Sequence, residues 1–283
     1  MDVFFTPLLI ALFGSSLAAF WDLKTTEIPD VIPHLMIISG ILFHLFYSFY
    51  QKDFSFLFRS LIYGLGFLGF GFLLYFLGQW GGGDAKILSA IGFLLPFYPK
   101  SFFLSFPLSF LFNVFFVGAI YIIVYALIFS FLNRKIWKKF FEEVKGYSKG
   151  LFLGFFSLFI FLFLINFYFF EIEPKENLIL SFSFPFLTLL LIIVVRFAKI
   201  VEDYGFKKKI PISRLKVGDV LLESKVWEGI TEEELKKIKR SGKKYVWIKE
   251  GVRFGPVFPL ALLLTLFYGD FISLLLKFLT FLL

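Results

Sequence analysis

Apolar residues along this chain come in long unbroken runs rather than in alternation, with short polar breaks between them. The runs lie near 3 to 21, 30 to 50, 56 to 78, 85 to 98, 102 to 132, 150 to 170, 178 to 198 and 255 to 282. At a rise of 1.5 Å per residue, a helix of about 20 residues covers a bilayer core of roughly 30 Å. Lipid offers no partner to bare N–H and C=O groups, so such runs cross as helices. The pattern therefore predicts an all-α polytopic membrane protein with about eight transmembrane helices, in a range of six to eight. The run after Asp84 reaches only Phe97 before a proline-containing break, which predicts a short, tilted or partly protein-buried helix. The fifth run is long enough to need tilt or a kink, with Pro107 near its start. The first run, Val3 to Trp21, lacks a basic start and a small-residue cleavage site, and reads as a retained span rather than a signal peptide.

Composition agrees with this reading, at 59% hydrophobic residues with 47 Phe among 283 positions. The absence of Cys excludes disulfides, thiolate metal sites and a cysteine nucleophile. His34 and His44 stand ten apart on one apolar run, poor spacing for a shared metal, so no metal and no cofactor are expected. The net charge of +8 would suggest nucleic acid in a soluble protein, but here its distribution matters more, and no nucleic-acid partner is expected. With eight spans, 24 of the 29 Lys and Arg fall on one side and only Lys52, Arg59, Lys100 and Lys175 on the other. The positive-inside rule then places the basic side in the cytoplasm and the N-terminus outside the cell membrane.

Four regions follow: a membrane-embedded core over 1–132, a basic cytoplasmic loop with two further spans over 133–200, a small cytoplasmic α+β domain over 201–252, and a C-terminal span over 253–283. In the third, "KIPISRLKVGDVLLES" alternates like strand around a turn at Gly218-Asp219. "TEEELKKIKRSG" reads as a helix with a Thr231/Glu234 capping box and Gly242 as its stop, and "KKYVWIKEG" as a returning strand.

Carboxylates at a membrane edge cost enough to be functional candidates. Asp22 closes the first run and Asp84, in "QWGGGDAKIL", opens the fourth. The charge count puts both at the cytoplasmic boundary. Two facing carboxylates cannot both ionise comfortably and share a proton, so that one activates water while the other polarises a carbonyl. Gly81, Gly82 and Gly83 lack a Cβ, which permits positive φ or close approach of a strand or helix. The competing structural reading is a flexible turn ending in an N-cap Asp84, with Asp22 solvated at a helix end. Asp30, three residues before Pro33, is expected to be an N-cap. Asp270, in the last run, is placed to pair with Lys277 or to line a packed interface.

At these residues the sequence resembles the prepilin-type peptidases, and within them the archaeal prepilin and preflagellin peptidases, aspartic proteases of the GxGD type. The resemblance rests on "WDLKTTEIPD", on "GGGDAKIL" with its G-x-G-D-x-K pattern, and on the C-terminal stretch through "GVRFGPVFPLALLLTLFYGD". It implies Asp22 and Asp84 as the catalytic pair, Gly81 and Gly83 as shaping residues and Lys86 as the motif's lysine, its role open. It implies removal of a short charged leader from prepilin or prearchaellin precursors at the cytoplasmic face, with Glu27 and Asp30 as possible contacts to that leader. Bacterial members often carry a cysteine cluster and methylate the new N-terminus. This chain has no Cys, so neither zinc nor methyltransferase activity is expected. The sequence leaves two alternatives: a presenilin-like or signal-peptide-peptidase-like intramembrane protease, which shares GxGD, and a transporter or channel using the two aspartates to bind cations.

Overall fold

The computed structural model of the chain describes residues 4–98, 104–169, 173–269 and 271. Its helices are α1 (Phe5–Thr25), α2 (Val31–Gln51), α3 (Ser55–Phe76), α4 (Gly82–Leu94), α5 (Phe106–Leu132), α6 (Arg134–Phe169), α7 (Pro174–Val201), α8 (Glu232–Arg240) and α9 (Val257–Tyr268). Strands β1 (Lys207–Pro211), β2 (Val220–Leu221) and β3 (Tyr245–Lys249) complete it. Among the described residues six helices, α1, α2, α3, α5, α6 and the α7 stretch, are long and apolar enough to cross a membrane. The protein is thus a mostly helical, multi-pass membrane protein with a small α+β insert, as the hydrophobic pattern predicts. The rest of the predicted last span, with Asp270 and Lys277, lies outside the described residues.

The fourth run yields the short, protein-buried helix expected of it: α4 has 13 residues, because Pro96 restricts Leu95 to non-helical φ/ψ and the helix stops at Leu94. One expectation needs correction. The basic stretch after 132 is no loop: α6 runs unbroken from Arg134 to Phe169. It contains no proline, and Lys139 pairs with Glu142 one turn along at 2.8 Å.

The described chain forms two compact units, 1–122 with 209–283, and 123–208. In the second, α6 and α7 pack together over a core of Ala126, Ile136, Phe197, Ile200 and Val201. In the first, α1, α2 and α3 surround α4. From Ile87 onward helix α4 is almost wholly apolar and is buried on every side, with Ile87, Leu88, Ala90 and Leu94, like Ala85 before them, fully enclosed. Glycines let its neighbours close in: a Cβ on Gly40 would lie 2.9 Å from the Phe93 backbone, and one on Gly71 2.7 Å from Ala85 Cα. A short helix ending inside a bundle leaves carbonyls without partners. Here Ser60 Oγ donates to Phe93 O at 2.7 Å and His44 Nε2 to Leu94 O at 3.1 Å, so the end of α4 is capped by side chains of α3 and α2. The outer surface stays apolar, with Phe13, Phe46, Phe58 and Ile62 largely exposed, as a lipid-facing surface must be.

The insert orders its strands β1-β3-β2, with β2 antiparallel to β3 through Val220 opposite Lys249. Thr231 and Glu234 form the expected capping box at α8: Glu234 N donates to Thr231 Oγ1 at 3.3 Å and Thr231 N to Glu234 Oε2 at 2.8 Å. Gly242 follows with φ +73° and Gly218 turns with φ +91°, the left-handed region that suits glycine.

Candidate active site

Asp22 sits on the last turn of α1, buried, and its Oδ2 accepts a hydrogen bond from the Gly255 backbone N–H at 2.7 Å. Asp84 lies on the first turn of α4 and its Oδ2 accepts from the Gly81 N–H at 3.1 Å. The two carboxylates are near enough for the charge of Asp22 to act on Asp84. Burial first, and then that like charge, push the Asp84 carboxyl well above the usual carboxylate range, while the Gly81 N–H pulls the other way. Helix α4 is not one of the six spanning helices, and Asp84 stands in its first turn.

Each half of the motif has a local reason for its shape. Gly81, in extended conformation (φ −77°, ψ 156°), is the N-cap of α4. Asp84 is therefore the third helical residue and reaches back to the N-cap N–H, rather than being the N-cap of the competing structural reading. None of Gly81, Gly82 and Gly83 has positive φ; that conformation is found before them, at Gly78 (φ +70°). Close approach, the other expected use, does occur. A Cβ on Gly83 would lie 2.9 Å from Ile28 Cβ, so the glycine motif and the Ile28-Pro29 turn after α1 fit into one another.

Asp30 is not the expected side-chain cap of α2, for it makes no capping hydrogen bond. Its Oδ1 instead takes Lys86 Nζ at 2.6 Å, which fixes the start of α2 to α4. Glu27 is exposed at the turn between α1 and α2, and a Cβ on Gly218 of the insert would lie 3.0 Å from its Oε1.

Several residues around the dyad escape sequence reasoning. Trp80, directly before the glycines, packs on Phe254 with ring centroids 5.5 Å apart, and Phe254 directly precedes Gly255. Trp227 of the insert donates from Nε1 to Gly78 O at 2.8 Å and its backbone bridges to Gly81. Tyr75 OH donates to Glu228 Oε2 at 3.4 Å. The only local signal for Gly255 is a Gly-Pro step ahead of an apolar run, which marks a helix start and says nothing of Asp22.

Residues 9–127 match the type IV leader peptidase family. A preflagellin peptidase of Methanocaldococcus jannaschii is 31% identical over 90 residues, 32% of this chain and 38% of that protein. The prepilin peptidase EppA of Methanothermobacter thermautotrophicus is 25% identical over 158 residues, 51% of this chain and 41% of that protein. The chain thus spans about two fifths of the length of these curated relatives. The matched segment holds α2 to α4 and most of α1 and α5, with both aspartates and Lys86, but neither Trp227 nor Gly255. The segment of this chain that carries Asp22 and Asp84 is thus the part that is similar to the type IV leader peptidase family.

Proposed function

We propose that the protein is a membrane aspartic endopeptidase that removes the short charged leader of type IV prepilin-like or archaellin precursors at the cytoplasmic face. The observation that carries this reading is the convergence of Asp22 and Asp84, each with one oxygen tied to a glycine N–H and the charge of Asp22 acting on Asp84. The names of the two relatives, a preflagellin peptidase and a prepilin peptidase, support the substrate class.

In the mechanism, the pair shares one proton, held on Asp84, whose burial and like-charged neighbour favour the neutral form. Ionised Asp22 takes a proton from water as the oxygen attacks the scissile carbonyl, and Asp84 passes its proton to the carbonyl oxygen. The resulting gem-diol collapses with return of a proton from Asp22 to the leaving nitrogen, and Asp84 regains its own from the diol. No cofactor takes part in this scheme, and methyl transfer is not part of the proposed activity. The apolar helix of the precursor lies in lipid beside the bundle while its leader meets the dyad at the boundary. Glu27 is the acidic residue best placed to meet a basic leader, since the Asp30 carboxylate is engaged by Lys86.

Co-expression with a pilin precursor tests the proposal. Asp22→Asn and Asp84→Asn should each abolish leader removal while membrane insertion is retained. Near-normal cleavage by either variant would overturn the dyad assignment. Cleavage within the apolar helix of the precursor, rather than at its cytoplasmic border, would favour an intramembrane protease instead.

A further inference from the structure

We infer that Gly255, outside the family-matched segment, is a positioning residue for the dyad, and that the segment entering α9 is an integral part of the catalytic centre. The inference rests on the aspartic peptidase reading above. Its basis is geometric. The Gly255 N–H reaches Asp22 Oδ2 at 2.7 Å across 233 positions of sequence, at a buried site. A Cβ at 255 would lie 2.9 Å from both Asp22 Cβ and Asp22 Oδ2 and 3.1 Å from Ala19 Cα, so only glycine lets the backbone come this near to α1.

The donor is held from both sides. Upstream, the Phe254 ring packs on Trp80 and lies against Gly118 of α5, where a Cβ would be 2.8 Å from its Cζ. Downstream, Val257 N donates to Phe254 O at 2.9 Å, and Val257 and Phe258 are fully buried. The N–H is therefore a fixed donor that needs no rearrangement as the reaction proceeds, the condition under which a hydrogen bond contributes most to catalysis.

The arrangement repeats that at the other aspartate, where Gly81 N–H holds Asp84 Oδ2. With one oxygen of each carboxylate fixed, the two Oδ1 atoms are left for water and carbonyl. The two holders are also joined, because Trp80 precedes Gly81, Phe254 precedes Gly255, and the two rings touch. The C-terminal part of the chain, beyond the family-matched segment, thereby sets how Asp22 faces Asp84.

The test uses the full-length purified protein and a precursor peptide spanning the cleavage site. Two changes are made at 255: Gly255→Ala, which forces Asp22 away, and a backbone ester at the same position, introduced by ligation of the C-terminal segment, which deletes the N–H and adds no side chain. Both should lower kcat by about 100-fold, the scale expected for misplacing a catalytic group by an ångström, with KM within about threefold of the original. Affinity for a hydroxyl-bearing transition-state analogue of the peptide should fall in parallel with kcat. Affinity for the uncleaved precursor, measured in the Asp84→Asn background, should not. If Gly255→Ala does not fold, the ester decides, because it brings no steric clash. An ester variant with kcat within threefold of the original overturns the inference, as does a loss of precursor binding equal to the loss of analogue binding. Failure of the dyad reading is separate, since it appears as cleavage by Asp22→Asn or Asp84→Asn with Gly255 intact.

Discussion

Lys86 Nζ lies 2.6 Å from Asp30 Oδ1, so the lysine of the G-x-G-D-x-K pattern joins the short helix bearing Asp84 to the start of α2. The pair is open to solvent, with the Asp30 side chain 59% exposed, and such a pair contributes at most about 1 kcal/mol to stability. Its expected effect is on alignment. Lys86→Met and Asp30→Asn should each leave thermal unfolding in detergent almost unchanged while slowing leader removal several-fold. The double variant should be no slower than the worse single one, because both changes remove the same contact. Additive losses in the cleavage assay would refute a shared role.

Gly83 and Ile28 make a second interlock. Gly83→Ala places a methyl 2.9 Å from Ile28 Cβ, and overpacking of this kind costs about 1–3 kcal/mol. Stability and cleavage should both fall, and Ile28→Ala in the same chain should restore part of each. Gly82→Ala, whose nearest contact would be Tyr75 at 3.8 Å, is expected to fold normally. A greater loss for Gly82→Ala than for Gly83→Ala, measured by unfolding in detergent, would contradict this packing.

The end of α4 offers a third measurement. Ser60→Ala and His44→Leu each remove a donor to a buried carbonyl, at Phe93 and Leu94 respectively. Leaving a buried acceptor without its partner costs about 1–3 kcal/mol. Each variant should unfold at lower temperature, and hydrogen exchange should rise first in the last turn of α4, not in α6 or α7.

Trp227→Phe keeps the aromatic bulk and removes only the Nε1 donor to Gly78 O. Gly78 is itself held in a left-handed conformation against the insert, where a Cβ would lie 2.7 Å from Lys225 O. The expected result is faster hydrogen exchange in the 215–250 region and reduced cleavage, with exchange in α1 and α3 unaltered. Unchanged exchange in the insert would show that the indole hydrogen bond does not hold it in place.

The sequence by itself determined a great deal here. Long apolar runs specify helices because lipid cannot satisfy a bare backbone, and capping residues such as Thr231, Glu234 and Gly242 act within a few residues of where they stand. Asp22 and Asp84 were legible as candidates because carboxylates at membrane boundaries carry a cost that demands a reason. What local pattern could not supply was pairing across the chain. Asp30 has the look of an N-cap and turned to Lys86, 56 positions on, because an oppositely charged partner at 2.6 Å offers more than a backbone N–H that water can reach. Gly255 reaches Asp22 only because α9 and the insert fold back onto α1, a consequence of burying Val257, Phe258, Ala261 and Leu262 that leaves no mark on the residues around either partner. Secondary structure and the cost of a carboxylate at a membrane edge are set by short-range and solvent forces, and so can be read along one dimension. The orientation of the dyad is set by packing between distant segments, and only the tertiary structure decided it.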